Sequence, residues 1–296
     1  MERISEATTD RGSDVTYEAL LKEAYVKADR HHKEREAVKL LLMELSHQTP
    51  SSFFMNQKTE VDDEMVSRFR TALDRYVHQH IPVQHLIGHA WFFGYPLTVN
   101  EHVLIPRGET EQLVEHVLHM IDTWFDQDHV DVLDLGTGSG CIGLTIALEA
   151  PHAIVTMSDI STKALEVATM NRDKLGAKAT LIQSDLFSAI QGTYDIIVSN
   201  PPYIPRNEPV DEIVGKEPYM ALYGGEQGIE FYEHILEHAN HYLKPKGLIA
   251  FEHGDRQKEA IHTIACRYLD NIAVIQKKDL AGKDRFTFIG TGGILK

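Results

Sequence analysis

From Val130 to Gly290, apolar runs of strand length alternate with segments of helical periodicity, an order that few folds accommodate. The runs are rich in β-branched residues, as buried strands are, and lie at 130–135, 153–159, 179–185, 194–200, 247–253, 271–277 and 285–290. Helical segments lie near 141–150, 161–175, 228–242 and 255–268. The alternation predicts an α/β fold whose seven-stranded, mostly parallel sheet has helices on both faces. Because a short loop separates the last two runs, we expect the final strand to pair antiparallel.

The amino-terminal part of the chain has a different pattern. Residues 1–16 are polar and lack hydrophobic periodicity, which predicts a flexible tail. Residues 17–88 carry apolar stripes at helical spacing, and the acidic triplet Asp62-Asp63-Glu64 suits the first turn of a helix. We therefore predict a small helical domain of three or more helices.

A linker is predicted between these two parts. The segment HAWFFGYPLTVNEHVLIP, residues 89–106, is aromatic and β-branched, with a break at Tyr95-Pro96 and a turn candidate at Asn100-Glu101. These features indicate a β-hairpin. A helix is expected from Glu109 to Trp124, near the start of a main domain that occupies residues 107–296.

Composition narrows the classes of function. The net charge of −15 argues against a non-specific grip on nucleic-acid phosphates. Cys141 and Cys266 have neither disulfide nor zinc-ligand spacing, so a reducing, cytoplasmic setting is expected. The 17 histidines are scattered, so no metal site is expected. No stretch is apolar enough to cross a membrane, and the acidic first residues do not resemble a targeting signal.

The first predicted strand runs into a glycine-rich loop that opens a helix. The loop reads Asp134-Leu135-Gly136-Thr137-Gly138-Ser139-Gly140, and this placement is typical of a nucleoside-binding turn. Glycines let a ligand approach the backbone, and the helix N-terminus offers free N–H groups. The G-x-G-x-G spacing differs from the G-x-G-x-x-G of dinucleotide sites, which disfavours a dinucleotide. The alternative is a turn that serves only strand-to-helix packing.

Two further strand ends carry acidic residues. Asp159 ends the second strand, where its carboxylate can accept both ribose hydroxyls of a nucleoside, and Ile160 follows it in the same predicted site. Asp185 ends the third strand, where it can face an adenine amino group while Leu186 packs on the ring. A surface carboxylate and a strand-end cap are the respective alternatives.

The fourth predicted strand ends in Asn200-Pro201-Pro202-Tyr203, which we term the acceptor loop. A planar amide or aromatic amine is a poor nucleophile because its lone pair is delocalised. The Asn200 oxygen and the Pro201 carbonyl can accept the two N–H bonds of such an –NH₂ group, while the two prolines stiffen the loop. Tyr203 offers a ring face that covers the planar group. The alternative is an ordinary turn.

At these residues the chain resembles a known family. DLGTGSG together with SNPPYI is similar to class I S-adenosylmethionine-dependent methyltransferases that act on –NH₂ nitrogens, whose fold is a Rossmann-like seven-stranded sheet. Further segments resemble the PrmC/HemK branch. They read PVQHLIGHAWFFGYPLTVNEHVLIPRGETEQLVE, EPYMALYGGEQGIEFY, LIAFEHG and DRFTFIG, and begin at residues 82, 217, 248 and 284. The likeness spans about residues 17–290.

The resemblance implies a protein-(glutamine-N5) methyltransferase. S-adenosylmethionine would be bound by the glycine-rich loop, by Asp159 with Ile160, by Asp185 with Leu186 and by Asn200, and S-adenosylhomocysteine would be the product. The acceptor loop would hold the glutamine in the Gly-Gly-Gln motif of class 1 peptide chain release factors. The helical domain would help to dock that partner protein. A monomer without direct nucleic-acid binding is expected.

One segment departs from the family pattern. The family reads P-R-P-E-T-E where this chain has Pro106-Arg107-Gly108-Glu109-Thr110-Glu111, so the segment is expected to be less rigid here. Arg107 and Glu109 either shape the pocket or form a structural ion pair. The run Glu252-His253-Gly254 either takes part in acid–base chemistry or buttresses the site.

Two other functions compete with this interpretation. A nucleic-acid adenine amino methyltransferase is the alternative, because the same acceptor loop can hold an adenine amino group. That activity needs a basic groove and a target-recognition domain, whereas this chain has a net charge of −15 and a small helical domain. The third hypothesis is a binding module without turnover, and the intact glycine-rich loop and Asn200 argue against it.

Overall fold

The computed structural model describes residues 15–125 and 129–295. The chain divides into two compact units, Met1–Ile87 and Gly88–Lys296. Of the tail expected at residues 1–16, all but the last two residues lie outside the described part. Within that part, no helix is long and apolar enough to cross a membrane.

The first unit is helical. Its helices are α1 (Tyr17–Arg30), α2 (Arg35–Leu45), α3 (Pro50–Met55), α4 (Asp63–Gln79) and α5 (Val83–Ile87). Side-chain oxygens of Thr16, Thr49 and Asp62 accept backbone N–H groups at the starts of α1, α3 and α4, which satisfies donors that a helix start leaves free. Leu41, Leu42 and Phe69 are fully buried in its core.

The second unit begins with a short β-hairpin, formed by β1 (His89–Phe92) and β2 (Tyr95–Thr98). Its turn lies at Phe93-Gly94, where both φ angles are positive (52° and 81°). The turn expected at Asn100-Glu101 is present, with the Val103 N–H donating to the Asn100 carbonyl at 3.3 Å, but it follows β2 and does not join the two strands. The hairpin therefore ends at Thr98, and residues 99–106, which the sequence predicted to belong to it, follow it. Val99, Val103 and Ile105 explain the apolar pattern there, because they pack in a cluster with two residues of the later helix at 162–175.

The prediction of a seven-stranded, mostly parallel sheet is confirmed. Its strands are β3 (Val130–Leu135), β4 (Ala153–Asp159), β5 (Ala179–Gln183), β6 (Tyr194–Ser199), β7 (Leu243–Glu252), β8 (Ala273–Lys278) and β9 (Asp284–Gly290), in the spatial order β5-β4-β3-β6-β7-β9-β8. Strands β3 to β7 pair in parallel, and β9 is antiparallel to both of its neighbours. The antiparallel pairing predicted for the final strand is therefore confirmed.

Helices cover both faces of this sheet. They are α6 (Gly108–Trp124), α7 (Cys141–Glu149), α8 (Thr162–Leu175), α10 (Glu230–Tyr242) and α11 (Lys258–Tyr268), while the one-turn helix α9 (Tyr219–Leu222) lies in the connection between β6 and α10. Successive strand residues point to opposite faces, so Val132 joins one buried cluster and Leu133 the other.

The order of the strands predicts where a ligand binds. From β3 the chain proceeds outward to β4 and β5, and then crosses to β6 on the other side of β3. Residues Val132, Leu133 and Asp134 of β3 pair with Ile196, Ile197 and Val198 of β6. The reversal of direction between β3 and β6 opens a crevice at the carboxyl ends of these strands, which is the usual ligand site in such sheets.

Candidate active site

A cavity of about 330 Å³ lies at this reversal point. It is lined by most of the residues singled out in the sequence, namely Gly136, Thr137, Gly138, Ser139, Asp159, Ile160, Asp185, Leu186, Asn200, Pro201 and Pro202. Asp134, Gly140 and Tyr203 lie behind the lining. Four strand ends that are distant in sequence thus meet at one concave site, as the positions of their polar residues predicted.

The glycine-rich loop owes its shape to backbone conformation and to hydrogen bonds. Gly136 and Gly138 have φ angles of +73° and +56°, a region that side chains disfavour. The Gly136 and Thr137 N–H groups donate to the carbonyl of Ser158 in β4, at 2.9 and 2.8 Å. At Gly140 a Cβ atom would lie 2.8 Å from the Leu144 side chain. The loop is therefore held against β4 and against the first turn of α7.

Asp134 supports the loop from below. Its Oδ2 accepts the Thr137 hydroxyl at 2.5 Å and the Gly143 N–H at 3.0 Å. Its Oδ1 is buried without a hydrogen-bond partner among the residues that the structure describes. Burial raises the pKa of this carboxyl to about 7, although both hydrogen bonds oppose the shift. An unpartnered buried oxygen calls for a donor, and a bound cation beside the loop would supply one.

Asp159 connects the glycine-rich loop to the end of β4. Its Oδ2 accepts the Gly138 N–H and its Oδ1 accepts the Ser161 N–H, both at 2.9 Å. Burial raises its pKa, and the backbone hydrogen bonds oppose the shift. Each carboxylate oxygen keeps a further lone pair, so two hydroxyl donors can still bind. Ile160 beside it is 45% exposed and offers an apolar surface to the cavity.

The turn after β5 forms another part of the cavity wall. The strand ends at Gln183, so Asp185 lies two residues beyond it and its side chain is exposed. The Ser184 hydroxyl donates to the carbonyl of Leu186 at 2.7 Å, and the Asp185 N–H donates to the Ser188 hydroxyl at 3.2 Å. The turn is thus internally bonded while Asp185 and Leu186 face the cavity.

Asn200 is tied to Thr110, which also lines the cavity, and through it to Glu252, which does not. Its Nδ2 donates to the Thr110 hydroxyl at 3.2 Å, and that hydroxyl donates to Glu252 Oε2 at 2.8 Å. Burial raises the pKa of Glu252 to about 7, opposed by hydrogen bonds from Thr110 and Asn200 and by the charge of Arg285. Glu252 is 2% exposed and does not line the cavity, so the structure favours the buttress over acid–base chemistry.

The other residues of uncertain role have structural partners. His253 is fully buried, with Nε2 3.0 Å from the Thr287 hydroxyl and Nδ1 2.9 Å from the Gly254 carbonyl. Arg107 forms an ion pair with Glu217, whose Oε2 also accepts the Ile105 N–H at 2.8 Å. This agrees with a structural ion pair at Arg107. It joins residues 103–106 to the segment that begins at Glu217, and both lengths of chain line the cavity.

The acceptor loop is braced by residues that the sequence motifs did not identify. A Cβ atom on Gly224 would lie 2.2 Å from the Pro202 carbonyl oxygen, and one on Gly228 would lie 2.2 Å from that of Tyr203. The Gln257 amide donates to the carbonyls of Tyr203 and Gly228 at 2.8 and 3.0 Å. The glycines in EPYMALYGGEQGIEFY were the available signal, since they allow this close approach.

Tyr203 keeps a neutral hydroxyl at physiological pH. Burial raises its pKa to about 12, and the nearby carboxylate of Glu252 adds to the shift. A neutral aromatic ring at the end of the acceptor loop can cover a planar group without adding charge.

Comparisons with known proteins agree with this arrangement. Residues 17–88 match the family model described as PrmC N-terminal domain, and residues 110–217 match the one described as Methyltransferase small domain. A release factor glutamine methyltransferase of Bacillus anthracis is 36% identical over 283 residues, which cover 92% of this chain and 98% of that protein. One from Bacillus subtilis (strain 168) is 38% identical over 263 residues, covering 86% and 90% respectively.

A solved structure supports the fold alone. A methyltransferase from Pyrococcus furiosus is similar with a TM-score of 0.51 at 22% identity, covering 68% of this chain and 91% of that one. Because the curated relatives are matched over nearly their whole length, the likeness covers both units and the candidate site. On this evidence the chain belongs to the release factor glutamine methyltransferase family.

Proposed function

We propose that the protein transfers a methyl group from S-adenosylmethionine to the side-chain amide nitrogen of the glutamine in the Gly-Gly-Gln motif of class 1 peptide chain release factors. The names of its relatives support the reaction. The observation that carries the proposal is the geometry of Asn200. Its amide nitrogen donates to the Thr110 hydroxyl at 3.2 Å, which leaves its oxygen to accept an N–H group.

The residues at the cavity fit the cofactor. When bound, S-adenosylmethionine supplies the methyl group from its sulfonium sulfur. The amide nitrogen gains the methyl carbon and loses one proton to solvent, and S-adenosylhomocysteine is the product. Asp134 lies behind the glycine-rich loop, and its Oδ1, which has no partner among the described residues, favours a cationic ammonium group bound at that loop. Asp159 can accept two ribose hydroxyls, and Ile160 and Leu186 offer apolar contact to an adenine ring beside Asp185. The volume of about 330 Å³ is in the range of small-molecule sites.

The acceptor loop would hold the glutamine amide. The Asn200 Oδ1 and the Pro201 carbonyl would accept its two N–H bonds, and Tyr203 would cover its plane. By accepting hydrogen bonds from both N–H groups, the two oxygens raise the electron density on the nitrogen while positive charge develops there. This stabilisation is greater in the transition state than in the ground state. The fixed loop also removes the cost of aligning the nitrogen with the methyl carbon. We assign Asn200, Pro201, Pro202 and Tyr203 to the catalytic site on these grounds.

The partner protein would be recognised beyond the reacting glutamine. A single glutamine is chemically ordinary, so discrimination must come from contacts elsewhere on the partner. We assign that role to the helical unit, residues 17–87, and place the reaction in the cytoplasm, in keeping with the two free cysteines. A truncated chain for testing this should begin at Gly88, because Phe92 and Leu97 of the hairpin belong to the core of the second unit.

The decisive experiment uses Asn200→Ala. We expect cofactor binding by calorimetry to be largely unchanged, while transfer to intact release factor falls by roughly 10²-fold, because an acceptor that orients the nucleophile is lost. The matched control is Asn240→Ala, since Asn240 is exposed and its amide donates to the Tyr268 carbonyl on the surface. Parallel incubation with DNA and labelled cofactor tests the adenine alternative. Label in DNA but not in release factor would overturn the proposal.

A further inference from the structure

The side-chain amide of Asn200 is held in one orientation by a chain of hydrogen bonds that crosses three elements. It starts on β7 at Glu252, continues through Thr110 in the first turn of α6, and ends at Asn200 directly after β6. Thr110 and Glu252 are each 2% exposed. Neither residue is part of the sequence motifs that hold the cofactor or the acceptor.

The direction of this chain follows from the chemistry of its buried end. While Glu252 is ionised its carboxylate only accepts hydrogen bonds, so the Thr110 hydroxyl donates to Glu252 and has only lone pairs left for Asn200. A lone pair binds the NH₂ end of an amide and repels the oxygen end. The Asn200 nitrogen therefore turns toward Thr110, which leaves its oxygen pointing away from that hydroxyl.

The surroundings hold Glu252 in place. Strand β7 is paired on both sides, with β6 and β9, and the Tyr232 hydroxyl donates to the Glu252 carbonyl at 2.9 Å. The Glu252 carboxyl thus has little freedom to follow a side chain that moves. Hydrogen bonds in a buried network are directional, so the fixed Glu252 carboxyl determines the orientation of the Thr110 hydroxyl and of the Asn200 amide.

We propose that Thr110 and Glu252 are positioning residues that fix the Asn200 amide with its oxygen toward the acceptor nitrogen. This rests on the proposed function. Without these hydrogen bonds, the Asn200 amide can flip and present its NH₂ group to the NH₂ group of the substrate. That arrangement has two donors and no acceptor. Glu252 lies outside the cavity lining and Thr110 is part of it, and both act on the acceptor nitrogen through Asn200.

These hydrogen bonds from Glu252 through Thr110 to Asn200 should depend on pH. A protonated Glu252 can donate to Thr110, which then donates to the Asn200 oxygen and reverses the chain. The charged and titratable groups that act on Glu252 are Arg285 on β9, Glu109 on α6, Cys141 on α7, Tyr203 in the acceptor loop and Tyr232 on α10. Arg285 favours the ionised carboxylate, and Glu109 opposes it. We therefore expect kcat to fall at acid pH as Glu252 takes up a proton.

The test begins with substitutions of similar volume. Thr110→Val should lower kcat about tenfold, the equivalent of about 1.4 kcal/mol, with an unchanged cofactor Kd. Thr110→Ser restores the hydroxyl and should recover most of the rate. The control is Thr145→Val, because Thr145 is also 2% exposed and donates to the Cys141 carbonyl within its own helix, at 2.7 Å. Wild-type kcat in Thr110→Val would overturn the proposal.

Two further measurements separate positioning from general stability. In the Asn200→Ala background, Thr110→Val should have almost no additional effect on kcat, because the residue through which it acts is gone. A full tenfold loss there would show that Thr110 acts elsewhere. In Glu252→Gln the acid decline of kcat should disappear, and a decline identical to that of the wild type would also refute the proposal. If the wild type itself leaves release factor unmodified, the proposed function fails instead.

Discussion

Gly224→Ala tests whether the backbone of the acceptor loop must lie where the structure has it. The new methyl group would lie 2.2 Å from the Pro202 carbonyl oxygen, 2.8 Å from the Pro202 carbonyl carbon and 3.0 Å from the Tyr203 Cα. Ordinary contact begins near 3.4 Å, so one of the two chains must move by roughly 1.2 Å. Gly224 does not have a left-handed backbone, so the effect is one of space and not of backbone strain.

A shift of this size should be costly for transfer. Misplacement of a reacting group by about 1 Å can lower the rate by about 10²-fold, and we expect a loss of that order in kcat. The cofactor Kd should stay within a factor of about two, because the new methyl group meets atoms of Pro202 and Tyr203 and none of the glycine-rich loop. Gly215→Ala is the control in the same region, since its Cβ would make an ordinary contact at 3.7 Å with Val210. The assay is methylation of intact release factor followed by mass spectrometry. A normal kcat in Gly224→Ala, with a normal melting curve, would refute the argument.

Three other predictions follow from the site. Asp159→Ala should weaken cofactor binding by about 1.5–3 kcal/mol while the saturated complex still reacts, and an unchanged Kd by calorimetry would remove Asp159 from the ribose role. Gly108→Pro should stabilise the protein by about 0.4–1 kcal/mol in thermal melts, because Gly108 is the first residue of α6 and Arg107 is already extended (φ −110°, ψ 153°). Burial raises the pKa of Glu252 from 4.5 to about 7, so its stabilisation is complete below about pH 4.5 and is lost as pH rises through about 7. The melting temperature of the cofactor-free wild type should therefore fall relative to that of Glu252→Gln between pH 5 and 8; a constant difference would contradict the raised pKa.

The sheet and the cavity wall could be predicted because their signals are local. Buried parallel strands are apolar over their whole length, and the residue type that follows each strand shows which end faces a ligand. That is why the sequence could place Asp159 and Asn200 at the ligand-facing ends of their strands, where both line the cavity. The turn of the hairpin was missed because Phe93 adopts a positive φ, which its residue type does not indicate, whereas Asn100-Glu101 has the composition of a turn.

The sequence made Glu252 a candidate buttress of the site, but its connection to Asn200 through Thr110 could not be predicted. Thr110 lies 90 positions before Asn200 and 142 before Glu252. A hydrogen bond across such a separation depends on how β6, β7 and α6 pack, and no local pattern records it. The same holds for Gly224 and Gly228, whose closeness to the acceptor loop appears only after folding.

The pairing of β3 with β6 has a consequence for how partner preference can change over time. The glycine-rich loop ends one strand and the acceptor loop ends the next, and the two strands are joined by backbone hydrogen bonds from Val132–Ile196 to Asp134–Val198. Neighbouring strands lie about 4.8 Å apart whatever their side chains are. Under the proposed function, this ladder would set the distance between the methyl donor and the acceptor amide, whatever residues the surface carries. Substitutions in the loops and in the helical unit could then alter which partner protein is bound without altering that distance.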